Sequence, residues 1–103
     1  MADAMMAVFD FHGDSDELAV AYDEVLRKVV AVSSARPVVH LAVPREYGFM
    51  VVDVWNSAEA FDTFVGNDDF RRVLAESGLP EPKIRTYPVH NLGWPVDALP
   101  LYR

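Results

Sequence analysis

Apolar residues are grouped along the chain in two different ways, and the first of these is typical of strands. Four short stretches are rich in β-branched and aromatic residues and are bounded by Gly, Pro, Asn or Ser. Side chains of a strand alternate between two faces, so each stretch can bury one face or both. These predicted strands are residues 5–12, 38–43, 49–55 and 83–87.

The second grouping follows the helical period. From Leu18 to Val30, apolar residues recur at spacings that place them on one side of a helix. Asp14 is predicted to cap this helix, with Glu17 three residues later as in a capping box. A second helix is predicted to start after Ser57 and to be broken at residues 66–67. The apolar positions change phase at that break.

The predicted order is therefore β-α-β-β-α-β. This order is typical of a ferredoxin-like α+β fold, in which two helices cover one face of a four-stranded antiparallel sheet. The short turn at residues 44–48 predicts an antiparallel hairpin between the second and third strands. We interpret residues 1–103 as one domain, with residues 93–103 as a C-terminal tail that docks on another surface. Residues 89–95 are expected to prolong the last strand beyond Pro88.

The face of the sheet that the helices leave uncovered is not polar enough to be exposed. In the first strand, for example, one face carries Phe9 and Phe11 and the other carries Val8, Asp10 and His12. A sheet with two apolar faces in a small domain favours packing against a second sheet. We therefore expect a homodimer with its sheets face to face.

Charge and composition exclude several classes of partner. The formal net charge of −7 over 103 residues argues against nucleic acid and against anionic membrane surfaces. No apolar run reaches about 18 residues, so no membrane span is predicted. The first residues lack the basic segment of a secretory signal, and we expect the cytoplasm. With no cysteine in the sequence, thiolate catalysis and disulfides are excluded.

The segment from Asp53 to Phe61, DVWNSAEAF, resembles an acidic-x-Trp-x-Ser-x-x-Ala-Phe signature. That signature is found in the antibiotic-biosynthesis monooxygenase-like domains of the dimeric α/β-barrel superfamily. The strand and helix order is similar over roughly residues 5–92. The resemblance implies a ferredoxin-like fold, a homodimer and a small-molecule ligand. It does not specify activity, because one fold carries many functions.

Two positions depart from relatives that degrade haem. Those relatives place a Trp at the position of Phe64 and a His ligand at the position of Leu74. Neither side chain of this chain can ligate iron. We therefore predict no haem and no other cofactor. His12, His40 and His90 with Asp53 could form a metal site, but no His-x-His or Glu-x-x-His spacing supports one, and we predict none.

Histidine is the residue type left for proton transfer near neutral pH. Strand direction puts His12 and His90 toward opposite ends of the sheet, with Asn56 at the end of His90. We predict His90, His12 and Asn56 as catalytic candidates, the His90–Asn56 end being preferred. The alternative for the histidines is a hydrogen-bonded structural role. The predicted substrate-binding residues are Trp55, Phe61, Phe64, Tyr87, His40 and Asp53.

Each aromatic candidate also has a structural interpretation. Trp55 could stack on an aromatic substrate, or it could be a core or interface anchor. Tyr22, Phe61, Phe64 and Phe70 could line a pocket between helices and sheet, or they could be plain core at helical spacing.

Two functional hypotheses follow. The first is a cofactor-independent monooxygenase-like protein that acts on a small aromatic or polyketide-like molecule. The second is a non-enzymatic dimeric module for binding or assembly. An open pocket in which at least two of His12, His40, Asp53 and His90 converge favours the enzyme, whereas a solidly packed interface between sheet and helices favours the module.

Overall fold

The computed structural model of the protein describes residues 3–93. Its four strands form one antiparallel sheet in the order β2-β3-β1-β4, so the two inner strands are β1 and β3. The strands are β1 (Met5–His12), β2 (Val39–Arg45), β3 (Gly48–Trp55) and β4 (Lys83–Pro88). This arrangement confirms the predicted ferredoxin-like α+β fold class. Sequence placed each strand end within two residues of its observed position.

Three helices pack on one face of this sheet: α1 (Ser15–Val32), α2 (Ala58–Val65) and α3 (Asp68–Ala75). Asp14 caps α1 as predicted, since its carboxylate accepts a hydrogen bond of 3.0 Å from the Glu17 amide. Ser57 caps α2 in the same way. The predicted break is confirmed, because Asn67 caps a separate third helix by accepting from the Phe70 amide.

The strand registers settle which residues face the helices. Phe9 pairs with Val51 in β3, and Ala7 pairs with Asp53, so these side chains share the helix-covered face. Phe9 and Phe11 are both buried there, and Phe9 packs against Phe61 of α2. The opposite, open face carries the remaining side chains of the four strands. Its apolar members are Met6, Val8, Val39, Leu41, Val43, Met50, Val52, Val54 and Tyr87.

An ionic cluster lies on the open face among these apolar residues. The Asp10 carboxylate of β1 accepts hydrogen bonds from Arg45 of β2 at 2.9 Å and from Arg85 of β4 at 3.0 Å. Asp10 is only 14% exposed at its side chain, whereas the arginines are 50% and 43% exposed. Arg85 lies on an edge strand and still has a carboxylate partner, because a largely buried aspartate on an inner strand needs cations from the neighbouring strands.

A tight turn at residues 46–47 joins β2 to β3. Gly48 follows it and pairs with His12. A Cβ at Gly48 would lie 2.3 Å from the Phe11 carbonyl oxygen, so no larger residue fits without moving the backbone. This close approach fixes the register of β1 and β3 at that end of the sheet.

Beyond Pro88 the described chain is no longer a strand. The Val89 amide donates to the Ala4 carbonyl at 2.9 Å, and residues 89–93 form no further ladder. The predicted extension over residues 89–95 is therefore not observed for 89–93, since proline has no N–H to contribute to a ladder. Its last two residues, and the predicted docking of the tail, lie outside the described residues. In the part of the chain that is described, no helix has the length and apolar character to cross a membrane.

Candidate active site

A cavity of about 90 Å³ lies between α1, the helix-covered face of the sheet and α3. Its wall is formed mainly by aliphatic and aromatic side chains. Three polar residues complete the wall, namely Tyr22 from α1, His40 from β2 and Asp53 from β3. The apolar part of the wall includes Phe9, Phe11, Val25, Val51, Phe64 and Leu74.

The three polar side chains form one hydrogen-bonded array. The His40 Nδ1 atom lies 2.5 Å from Oδ1 of Asp53. The His40 Nε2 atom lies 2.5 Å from the hydroxyl oxygen of Tyr22. Both ring nitrogens of His40 are thus engaged, one by a carboxylate and one by a phenol.

Local structure explains why these residues meet. His40 and Asp53 are directly opposite each other in the antiparallel register of β2 and β3, so their side chains leave the sheet on the same face. Tyr22 lies four residues after the buried Leu18, on the inward side of α1. Its ring is nearly parallel to the His40 ring, with planes 13° apart and centroids 6.0 Å apart, as expected for rings joined end to end by their hydrogen bond. Phe49 packs against the same tyrosine, with centroids 5.1 Å apart, and so fixes the ring from the sheet side.

The electrostatics of the array are dominated by burial. Asp53 is only 5% exposed, and it is the one buried charged residue in the core of the described chain. Burial raises the pKa of Asp53, and the hydrogen bond and charge of His40 oppose that rise. Burial also raises the pKa of Tyr22, reinforced by the negative charges of Asp53 and then Asp23. The site therefore disfavours unpaired negative charge.

His40 links this buried pair to the surface, because its side chain remains 33% exposed. An imidazole between a carboxylate and a phenol can take up or release one proton without moving either neighbour. The arrangement can thus accept a proton from a ligand in an otherwise apolar cavity. Within residues 3–93 no three His, Asp or Glu side chains converge as metal ligands would.

A second, larger cavity of about 590 Å³ adjoins the first. The two share part of their walls, including Phe70, Leu74 and Leu79. The charged residues of its own wall are Arg71 and Glu81, one of each sign. A ligand too large for the inner cavity would therefore find adjoining space beyond these shared side chains.

The structure distributes the sequence-predicted site residues over several places. His40, Asp53 and Phe64 line the inner cavity. Trp55 and Phe61 are buried core residues that contact each other, their ring centroids 6.4 Å apart. The remaining predicted residues lie outside both cavities, although Asn56 lines a third cavity of about 310 Å³ together with Trp55.

Those remaining residues are exposed. Tyr87 belongs to the open face and is 43% exposed. His12 ends β1, whereas Asn56 and His90 follow the ends of β3 and β4. The registers put Asn56 and His90 at one end of the sheet and His12 at the other, but neither end brings these residues to the cavity. Nothing in this geometry tests a catalytic role for the three.

Tyr22 is the member of the array that sequence reasoning had placed only among pocket-lining aromatics. Its position on the apolar stripe of α1 predicted that it points inward. The signal for its partner was missing, because helical period says nothing about which strand a helix residue reaches.

Comparisons with known proteins bear on this fold. No protein-family model matches the chain, and no curated protein matches it. Among solved structures, it is similar to SnoaB, a cofactor-independent oxygenase from Streptomyces nogalater. The TM-score is 0.68 at 14% identity, over 88% of this chain and 97% of SnoaB. It is also similar to a provisionally named antibiotic biosynthesis monooxygenase from Caulobacter crescentus CB15, with a TM-score of 0.64 at 15% identity, over 87% and 92% of the two chains.

The chain has the fold of the antibiotic-biosynthesis monooxygenase-like domains. The resemblance seen in the segment from Asp53 to Phe61 is thereby confirmed at the level of fold. A protein of unknown function from Nitrosomonas europaea, NE2512, is equally similar, with a TM-score of 0.67 at 14% identity over 91% and 96% of the two chains. Identities this low define the architecture and leave the chemistry to be argued from the residues of this chain.

Proposed function

We propose that the protein removes a proton from a small aromatic or polyketide-like molecule in the inner cavity, so that the ionised molecule reacts directly with dioxygen. The observation that carries this proposal is the Tyr22–His40–Asp53 array in the wall of an apolar cavity. The convergence of His40 and Asp53 in that wall supports the enzyme over the non-enzymatic module. SnoaB, with the same fold, is described as a cofactor-independent oxygenase.

The physical basis is the pairing of a proton acceptor with an apolar surrounding. General-base catalysis by a positioned side chain contributes typically 10²–10⁴-fold to a rate. Asp53 holds the imidazole and stabilises the imidazolium that forms when His40 takes a proton. The apolar wall strengthens the attraction between that cation and a ligand anion, because charges interact more strongly at low dielectric. An ionised phenol or enol is electron-rich, and this favours its reaction with dioxygen.

Dioxygen uptake tests the proposal. The purified protein is incubated with a panel of phenols, hydroquinones and anthrones under a metal chelator, and uptake is followed with an oxygen electrode. His40→Gln should lower the rate by about 10²–10⁴-fold. His90→Ala and His12→Ala are the matched histidine controls, because both residues are exposed outside the cavities.

If His90→Ala lowers the rate and His40→Gln does not, the site lies instead at the strand end predicted from sequence. Binding of panel members without any oxygen uptake would favour the non-enzymatic binding module.

We also propose that the protein is a homodimer whose open faces pack together. The support is the row of apolar side chains on that face, of which Leu41 is 53% and Tyr87 43% exposed in the single chain. Large contiguous apolar patches on a protein surface mark sites of interaction with a partner. Sedimentation at micromolar concentration tests this proposal, and a stable monomer would contradict it.

A further inference from the structure

We propose that Tyr22 is the residue that meets the ligand, and that His40 and Asp53 act through it as positioning residues. This inference rests on the proposed function, since it names the atom at which the ligand proton is received. It reverses the usual expectation that a histidine of neutral pKa contacts the substrate directly.

Both ring nitrogens of His40 are occupied by neighbouring side chains. Its Nδ1 is 2.5 Å from Asp53 and its Nε2 is 2.5 Å from Tyr22. A ligand could reach either nitrogen only by displacing a partner. The hydrogen bond to His40 and the contact with Phe49 hold that phenol in place.

The directions of the two hydrogen bonds in the array leave the Tyr22 oxygen able to accept a further one. An ionised carboxylate can only accept, so Asp53 fixes the proton of neutral His40 on Nδ1. The Nε2 lone pair then accepts a hydrogen bond from the Tyr22 hydroxyl. A hydroxyl that donates once still has lone pairs to accept with. Tyr22 lines the inner cavity, and its oxygen therefore keeps the capacity to accept a proton from a ligand there.

The proton balance follows from these bonds. The ligand X–H bond breaks and its proton goes to the Tyr22 oxygen, while the original Tyr22 proton goes to Nε2 of His40. The products are the ligand anion, a neutral Tyr22, and an imidazolium paired with Asp53. Tyr22 is a neutral phenol before and after the transfer. This agrees with its surroundings, because burial and the charge of Asp53 raise the pKa of Tyr22 and disfavour its phenolate.

The same geometry defines the ligand class. Asp53 lies in the wall and Asp23 adds a further negative charge on α1, while the other described residues of the inner cavity wall, His40 apart, include no cation. A ligand that is already anionic is therefore disfavoured in the resting protein. The site fits an uncharged acid, such as a phenol or an enol, that becomes anionic only as His40 becomes cationic.

The test uses p-nitrophenol, because its anion absorbs at a different wavelength from the neutral phenol. The wild-type protein should bind the probe as the anion, and His40 should become doubly protonated by nitrogen NMR. Tyr22→Phe keeps the ring that packs on Phe49 and removes only the hydroxyl. It should bind the probe with the anion signal reduced by about tenfold or more. Tyr47→Phe is the matched control, because Tyr47 is 77% exposed in the turn between β2 and β3, and it should behave as wild type.

Equal ionisation of the probe by wild type and Tyr22→Phe would overturn the inference while leaving the proposed function intact. A second measurement applies to the protein without any probe. Nitrogen NMR should find His40 protonated on Nδ1 alone in the wild type. Protonation on Nε2 alone would reverse the hydrogen bond to Tyr22 and overturn the inference. If His40 carries its proton on Nδ1 as expected, but bound p-nitrophenol is never ionised, the proposed function is contradicted.

Discussion

Asp53 and Asp10 lie on the two inner strands and point to opposite faces of the sheet, and each is held by side chains from neighbouring elements. Asp10 on the open face has two arginines, Arg45 and Arg85. Asp53 on the helix-covered face has a single histidine, which in turn contacts Tyr22. Both carboxylates are largely shielded from solvent, with side chains 14% and 7% exposed.

The difference lies in the partner, because a guanidinium keeps its proton at all ordinary pH values and an imidazole does not. The cations of the Asp10 cluster are therefore arginines, which do not exchange protons. The Asp53 array contains an imidazole instead, a group that can both donate and accept a proton. The same residue type thus has a structural environment on one face and a chemically competent one on the other.

Truncating the aromatic core beneath the array should have the largest effect. Trp55→Ala should lower the free energy of unfolding by about 3–5 kcal/mol, because Trp55 is only 2% exposed and packs on Phe61 and Phe64. Thermal or denaturant unfolding measures it. Trp55→Phe is the control and should cost much less, since the indole N–H has no hydrogen-bond partner among the described residues. An unchanged melting temperature with lost ligand binding would make Trp55 a site residue instead.

A charge placed on the open face should come next in size. Leu41→Glu should weaken self-association by about tenfold or more, because an unpaired carboxylate would be buried between two apolar sheets. The stability of the separated monomer should change by only about 0.5 kcal/mol, since Leu41 is 53% exposed there. Sedimentation over a concentration series gives the first quantity and denaturation of dilute protein the second. Unchanged association would show that the open face is not the interface.

Replacing Asp53 should change how the free energy of unfolding depends on pH, and this distinguishes Asp53 from Asp10. The pKa of Asp53 is raised in the folded protein, so the folded state holds more protons than the unfolded state between the two pKa values. Wild-type stability attributable to this group is therefore greatest below its ordinary pKa and is lost as pH rises through the folded pKa. Asp53→Asn should remove that dependence. The free energy of unfolding of the variant, relative to that of the wild type, should therefore be higher at neutral pH than at acidic pH. Denaturation at several pH values measures this, and a parallel pH dependence in the variant would contradict it.

The smallest effect is expected from the Asp10 cluster. Arg85→Gln should cost about 0.2–1 kcal/mol in the monomer, because Arg85 is 43% exposed and Arg45 continues to hold Asp10. The loss should shrink further at high salt. Denaturation at low and high ionic strength is the measurement. A cost that is larger and independent of salt would show that the cluster is buried by a partner.

Much of the fold could be predicted because its signals are local. Asp14, Ser57 and Asn67 each act on the amides that follow within three residues, so the helix starts are local properties of the sequence. The alternation in the strands likewise indicated an apolar surface on both faces. Which residues belonged to which face depended on parity, and the strand registers of the structure decided it.

The candidate site was less predictable because it is assembled by register and by helix placement. His40 and Asp53 were both identified from sequence, but their pairing depends on a turn that sets the β2–β3 register to the residue. Tyr22 joins them only because α1 crosses the sheet above β2. Neither relation is encoded in the spacing of the residues along the chain, so the histidines at strand ends were predicted as catalytic and His40 only as substrate-binding.

The position of β1 at the centre of the sheet has a consequence for how the chain reaches this structure. Phe9 of β1 pairs with Val51 on one side and with Ile84 on the other, so its second neighbour is about three quarters of the chain away. Pairings this distant slow folding, because a long loop must close before the contact stabilises anything. During synthesis, β1 to β3 can associate before β4 has been made, and one edge of β1 is then unpaired. Until residues 83–88 leave the ribosome, that edge is open to pairing with another chain, which makes the interval before β4 arrives the stage at which aggregation is favoured.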